Sequence, residues 1–334
     1  MIPLNLFYQE PNEDRWFPLD RYPRRIVRRL VRGPRRPGGQ ERVFLNLMAG
    51  LTRLGIPFRV NALRYARKNP SELCCVLGKR CMLDRFAWQN PLLIGPCIHD
   101  HPISDPDLFR RRRIRRILVP GEWMRTMCAE AWGDRVFSWP IGIDTDYWSP
   151  PSPSVVRDID VLVYDKLRWD RERAVPELLD PVFAEIKKRR LNHEVVRYGH
   201  YDPVAYRMLL GRSRCMVFLC EHETQGLAYQ EALSFGVPII ALDHGGAWKD
   251  PSYYPKKVLF SPVSSVPYWD DRCGVRFSHS AELPAAFDRL ALLQAAGQID
   301  PRSYIIENLT LEKCAARFVE HVREAENSVD ATGV

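Results

Sequence analysis

In CEHETQGLAYQEALSFGVPIIALDHGG, residues 220–246, two glutamates, Glu223 and Glu231, stand eight positions apart with Gly226 between them. Carboxylates accept hydrogen bonds from hydroxyl groups without transferring a proton, which suits the recognition of a sugar or a ribose. The pattern around them dictates the elements that carry them. CMVFLC is a short apolar run that reads as a buried strand, EHETQ is a polar loop, and GLAYQEALSFG reads as a helix ended by Gly236 and Pro238. Strand, loop and helix in that order place both acids beyond the carboxyl end of a strand, where open parallel sheets take their ligands. The amides of Gly226 and Leu227, first in that helix, lack helical carbonyl partners and favour an anion such as phosphate. The plainer alternative is a capping acid and a surface helix acid.

The rest of the chain supplies the same kind of framework twice. With 334 residues the chain fits two domains better than one core. IPLNLFY reads as a strand, the helical spacing of Val43, Leu47, Leu51 and Leu54 ends at Gly55, and PFRVN, CCVLG, PLLIGPCI and RRILVP follow as further strands. The pattern restarts after the proline-rich SPPSPS, with DIDVLVYD, HEVVRYG, CMVFLC and PIIALD as strands and DPVAYRMLLGRSR as a helix capped by Asp202. Strands alternating with helices predict an α/β fold of two Rossmann-like, doubly wound domains facing across a cleft. The expected organisation is a first domain over 1–148, a linker over 149–154, a second domain over 155–310, and a closing helix and tail over 311–334.

Composition excludes several classes. No long uncharged apolar run suits a membrane span, and the acidic start of the chain does not read as a secretory signal, so the expected location is the cytoplasm. Nine cysteines without a Cys-x-x-Cys spacing fit reduced thiols better than a disulfide framework or a zinc site. The net charge of +8 is concentrated in PRRIVRRLVRGPRR, residues 23–36, and FRRRRIRRI, residues 109–117. Three partners follow from such runs: plain solvent, the anionic inner face of a cell membrane met peripherally, or nucleic acid. Neither run interleaves enough aromatic residues to stack on bases, which makes nucleic acid the least favoured.

Glu223, Gly226, Leu227, Glu231, Ala232, Gly236, Pro238 and Ala241 resemble, at matching spacing, the E-x7-E segment of retaining, family 4-like glycosyltransferases of the GT-B fold. Thr224 and Gln225 stand where that family commonly has Gly and Phe. PGGQERVFLNLMAGL resembles its amino-terminal glycine loop, with Gly38 and Gly39, and PIGIDTDYWSP resembles the segment that ends its first domain. VYDKLRWDRE resembles its G-R-L-x-x-x-K-G segment, with Lys166 and Arg171 at the two cation positions and Asp165 and Glu172 replacing the flanking glycines. The resemblance implies a metal-independent hexosyltransferase using a nucleoside-diphosphate sugar. Glu231 would then hold the ribose and Glu223 the transferred sugar, while Lys166, Arg171 and the amides of Gly226 and Leu227 meet the departing diphosphate. Gly38 and Gly39 would admit donor phosphate or acceptor, a plain tight turn being the alternative.

HDH, residues 99–101, ends an apolar run, and the resemblance makes His99 or His101 a partner of the donor sugar; a structural loop role is the other reading. Two residues apart on an extended chain they point oppositely, so a metal pair is not expected. The Asp-x-Asp pairs at 105 and 107, 144 and 146, and 158 and 160 lack the preceding strand that a metal-binding version needs, and no cofactor is expected. The basic, apolar-studded stretch 23–36 makes a glycolipid or envelope polysaccharide the expected acceptor. The rival readings are a DNA-modifying glucosyltransferase and a non-catalytic sugar or nucleotide binder.

Overall fold

The computed structural model describes residues 2–11, 19–20, 22–24, 26–27 and 37–328. Most of the basic stretch 23–36 lies outside these; Ile26 and Val27, within them, are exposed. The chain divides into two compact units, one of Met1–Pro120, Cys128–Gly142 and Cys314–Val334, the other of Gly121–Met127 and Ile143–Lys313.

The first unit is built on a six-stranded, wholly parallel sheet: β1 (Leu4–Phe7), β2 (Phe58–Val60), β3 (Cys74–Val76), β4 (Leu92–Ile94), β5 (Ile114–Val119) and β6 (Val136–Ser138), in the order β2-β1-β3-β4-β5-β6. After β1 the helix α1 (Gly39–Arg53) buries Val43, Leu47 and Leu51 of the predicted face together with Phe44, whereas Leu54, the fourth predicted position, is the residue that ends the helix and is 40% exposed; Gly55 takes φ +66° just beyond it. The helix Leu311–Asn327 is tied to this unit over the stretch from Cys314 onward. Trp139 Nε1 donates to Cys314 O at 2.8 Å, Trp139 packs on Phe318 with ring centroids 5.1 Å apart, and Arg115 Nη1 donates to the carbonyls of Ala325 and Glu326 at 3.2 and 3.1 Å.

Those last bonds belong to the second basic run. Arg111 pairs with Asp105, Arg112 with Asp84 at 2.8 Å, and Arg113 donates to Gln89 O at 3.2 Å. Arg116 reaches Glu324 and His321 and lies 3.6 Å from the ring centre of Phe137. Any anionic surface meeting residues 109–117 must therefore compete with partners the unit already provides, and those residues do not form one free cationic face.

The second unit has a five-stranded parallel sheet: β7 (Ile159–Lys166), β8 (His193–Arg197), β9 (Ser213–Cys220), β10 (Ile239–Leu242) and β11 (Gly274–Phe277), in the order β11-β10-β9-β7-β8. Both faces of the inner strands β7, β9 and β10 are covered, which is why these read as near-continuous apolar runs, whereas the edge strand β8 is mostly exposed. One face, with Val161, Val163, Val217, Leu219, Ile240 and Leu242, packs on the helices Asp180–Lys188 and Leu283–Ala295. The opposite face, with Leu162, Tyr164, Met216 and Phe218, meets Tyr206 and Tyr229 from the helices Pro203–Arg212 and Leu227–Ser234; ring centroids there lie 5.4 to 5.7 Å apart. Asp202 caps the first of these helices, its carboxylate accepting from Val204 N at 2.7 Å and Ala205 N at 3.1 Å, as the sequence predicts.

Candidate active site

The chain leaves β7 for the sheet edge as β8 and returns to the other side of β7 as β9. That reversal is a topological switch point, and ligands of such sheets bind beyond the carboxyl ends of the strands that flank it. Lys166, the last residue of β7, lies opposite Cys220, the last of β9. The loop after Cys220 carries Glu221, His222 and Glu223, so the order of strands alone brings Lys166 to the acidic loop. Lys166 Nζ makes an ion pair with Glu223 Oε1, and both side chains are 11% exposed. Burial works against the ammonium charge, but the Glu223 carboxylate, with Cys220 and Tyr198, outweighs it and holds Lys166 above its ordinary range. Tyr198, just beyond β8, offers its ring 4.3 Å from the same ammonium.

The backbone of Glu223 is fixed from both sides: its N–H donates to Ser264 O at 2.9 Å, and its carbonyl accepts from Trp123 Nε1 at 2.8 Å. Gly226 follows at φ +79°, and a Cβ there would fall 2.0 Å from the Tyr229 ring, so only glycine fits. It is the N-cap of the helix Leu227–Ser234 and, having no side chain, supplies no side-chain cap to the first-turn N–H groups, which have no carbonyl partner within the helix. Glu231 lies one turn along, buried to 4% exposure. Gln225 and Gln230 form a buried amide pair, Nε2 of Gln225 donating to Oε1 of Gln230 at 2.8 Å and Nε2 of Gln230 returning a bond to Gln225 O at 2.7 Å. That pair explains how a polar residue stands where the resembling family has Phe: its amide is satisfied internally.

Arg171 does not project freely. Asp165 grips its guanidinium with both carboxylate oxygens, one contact being 3.0 Å, and Leu167 O accepts from it at 2.9 Å. Glu221 does something similar for the backbone, its Oε1 accepting from Arg168 N at 2.7 Å and Trp169 N at 3.0 Å, while its Oε2 has no hydrogen-bond partner among the described residues. His222 is buried against Trp169, with ring centroids 4.8 Å apart, and burial together with Arg168 and Lys166 pushes its imidazole down to about 3. Sequence reasoning named Asp165 only as a replacement for a glycine, without a role, and missed Glu221 and His222. The available signal was a charged residue at the end of an otherwise apolar strand, twice, at the two strands of the switch point.

Gly38, Gly39 and His99 belong to the first unit. Gly38 flanks the start of α1 at φ −72°, and a Cβ at either glycine meets nothing within 4 Å, so the backbone itself does not demand glycine there. His99 has a side chain only 1% exposed. Ser104 Oγ gives its single proton to His101 O at 2.6 Å and can only accept from His99 Nδ1 at 3.3 Å, which leaves the lone pair on Nε2, 3.9 Å from Asp105 Oδ2. Burial, with Arg80 nearby, pushes this imidazole down to about 4. His99 is therefore a neutral, enclosed residue in this arrangement, not one presented to a ligand. His101 accepts from Ile103 N at 3.1 Å, capping the turn Pro102–Ser104. Among the described residues no group of three or more His, Cys, Asp or Glu side chains is arranged to hold a metal ion, and no helix is long and apolar enough to cross a membrane.

Two doubly wound parallel sheets of this kind are those of the GT-B fold. Residues 176–249, which include Glu223 and Glu231 but neither Lys166 nor Arg171, match the family model of glycosyl transferases group 1. Among solved structures, AviGT4, a glycosyltransferase involved in avilamycin A biosynthesis, aligns with a TM-score of 0.54 at 14% identity, covering 98% of this chain and 99% of that one. A chain of the GtfA/B complex aligns at 0.52 and 13% identity, covering 79% of this chain and 60% of that one. Staphylococcus aureus TarM, as a point mutant in complex with fondaparinux, α-GlcNAc-glycerol and UDP, aligns at 0.52 and 13% identity, covering 79% of this chain and 58% of that one. The chain thus spans about three fifths of the length of the latter two, and at these identities the likeness is one of fold. No curated protein matches the chain.

Proposed function

We propose that the protein is a retaining glycosyltransferase that moves a hexose from a nucleoside-diphosphate sugar to an acceptor. The bond from the anomeric carbon to the diphosphate oxygen breaks and one to an acceptor oxygen forms, the acceptor's proton leaving to the diphosphate or to solvent. The observation that carries this reading is the gathering of Lys166, Glu223, the uncapped helix at Gly226 and Leu227, and Glu231 at one switch point. The match of residues 176–249 to glycosyl transferases group 1 and the UDP in the TarM complex support it. Lys166, Arg171 and the helix amides would stabilise charge on the departing diphosphate, and Glu223 and Glu231 would orient sugar and ribose. We take the acceptor to be a glycolipid or envelope polysaccharide met from the cytoplasm, on the ground of the basic stretch 23–36.

Calorimetric titration with UDP, GDP, ADP, CDP and TDP tests the donor site, with chelator present and absent. Selective binding of one nucleotide, lost in Glu231→Ala, supports the reading and names the donor for an acceptor screen. If the folded protein binds none of the five under either condition, the fold serves another purpose.

A further inference from the structure

Lys166 and Glu223 are assigned to opposite parts of the donor, phosphate and sugar, yet in this structure they hold each other. We propose that Glu223 makes the site prefer the intact nucleotide sugar over the nucleoside diphosphate left after transfer, by serving as counter-ion of Lys166 until a sugar replaces it. This rests on the donor-site reading above and assigns Glu223 a discriminating role within it.

A diphosphate that draws on Lys166 competes with Glu223 for its charge and weakens their ion pair. The freed carboxylate cannot move away easily, because its backbone is pinned by Ser264 and Trp123 and its side chain is nearly enclosed. The thiol of Cys220, 3.8 Å from Glu223 Oε1, is a weak donor and a poor substitute for an ammonium. A nucleoside diphosphate without sugar therefore binds at the expense of a buried carboxylate stripped of its partner, which is costly. A nucleotide sugar brings hydroxyl donors to the same carboxylate and restores what the lysine took away. The neighbouring donors show a similar construction, the Arg171 guanidinium being held by Asp165 and the backbone amides of Arg168 and Trp169 by Glu221, so Lys166 is not the only donor here that an internal carboxylate occupies.

The test compares affinities of wild type and Glu223→Gln for the nucleoside diphosphate selected above and for its glucose, galactose and N-acetylglucosamine conjugates. It is run at pH 6.5, well below the ordinary range of a lysine ammonium. The wild type should favour one conjugate over the free diphosphate by about tenfold. Glu223→Gln should bind the free diphosphate about tenfold more tightly than wild type and lose that preference. Glu223→Asp, one methylene shorter, should move the same way by less, and provides the measurement if the glutamine variant does not fold. The gain should vanish when Lys166→Met is added, because the coupling runs through that pair. Free-diphosphate affinity that is unchanged or weaker in both Glu223 variants overturns the inference while leaving the donor site standing. Failure of the wild type to bind any nucleotide overturns both.

Discussion

Gly226→Ala tests whether the loop between the two glutamates is shaped as described, since two independent penalties meet at that residue. Alanine in the left-handed region costs about 1–2 kcal/mol. The new Cβ would also lie 2.0 Å and 2.5 Å from two carbons of the Tyr229 ring. That ring is fully buried, and its hydroxyl both donates to Tyr268 O at 3.1 Å and accepts from Tyr268 N at 3.0 Å, so it cannot swing aside without breaking both bonds. Overpacking of this kind costs about 1–3 kcal/mol, giving about 2–5 kcal/mol in all for the second unit. Gly38→Ala is the control: ordinary φ and open space limit its cost to under about 1 kcal/mol. Hydrogen exchange of peptides from β9 and β10 across a urea series reads the second unit by itself. If Gly226→Ala costs no more than Gly38→Ala there, the geometry assigned to this loop is wrong.

Three further outcomes are expected. His222 and His99, pushed down to about 3 and about 4, stay neutral when folded while the unfolded chain binds protons below about pH 6.5. Stability is complete above that pH and lost as pH falls toward the folded values, each histidine costing about 2 kcal/mol at pH 5; His222→Gln should remove that share of the pH dependence in the second unit, and an unchanged slope between pH 7.5 and 5 would contradict the burial argument. Gln225→Leu alone should cost about 1–3 kcal/mol by depriving the buried Gln230 Oε1 of its donor, and the double change with Gln230→Leu less than the sum of the two single changes, as a denaturation cycle would reveal. Arg116→Ala should destabilise the first unit by about 1–3 kcal/mol, read as a lower unfolding midpoint, without altering sedimentation with anionic vesicles; loss of vesicle binding instead would restore residues 109–117 as a membrane contact.

The alternation of apolar runs and helical segments made most strands of both sheets legible, because parallel strands covered on both faces carry little else. β6 and β11 escaped it: VFS is too short to show a period, and GVRF carries an exposed Arg276 amid its buried residues. Gly226 and the two glutamates were legible because spacing along a strand, loop and helix survives folding unchanged. The ties that hold Arg171 and Lys166 were not, since Asp165 meets Arg171 across a loop and Glu223 meets Lys166 only once β7 and β9 pair. His99 shows the same limit from the other side: its position after an apolar run says nothing about the Ser104 and Asp105 side chains that enclose it.

The helix Leu311–Asn327 sets a schedule for the protein's birth. The sheet of the first unit is complete in the chain at Ser138, yet Trp139 waits for Cys314, 175 residues later, and Arg115 for Glu326, 211 residues later. At about 5–20 residues per second that wait lasts on the order of ten to forty seconds, during which the ribosome synthesises nearly all of the second unit. A nascent chain stalled before residue 311 should therefore present the flank of β5 and β6 uncovered, with Arg115, Arg116 and Trp139 still awaiting the contacts this helix supplies. Closure of that surface marks the moment at which the helix has left the ribosome.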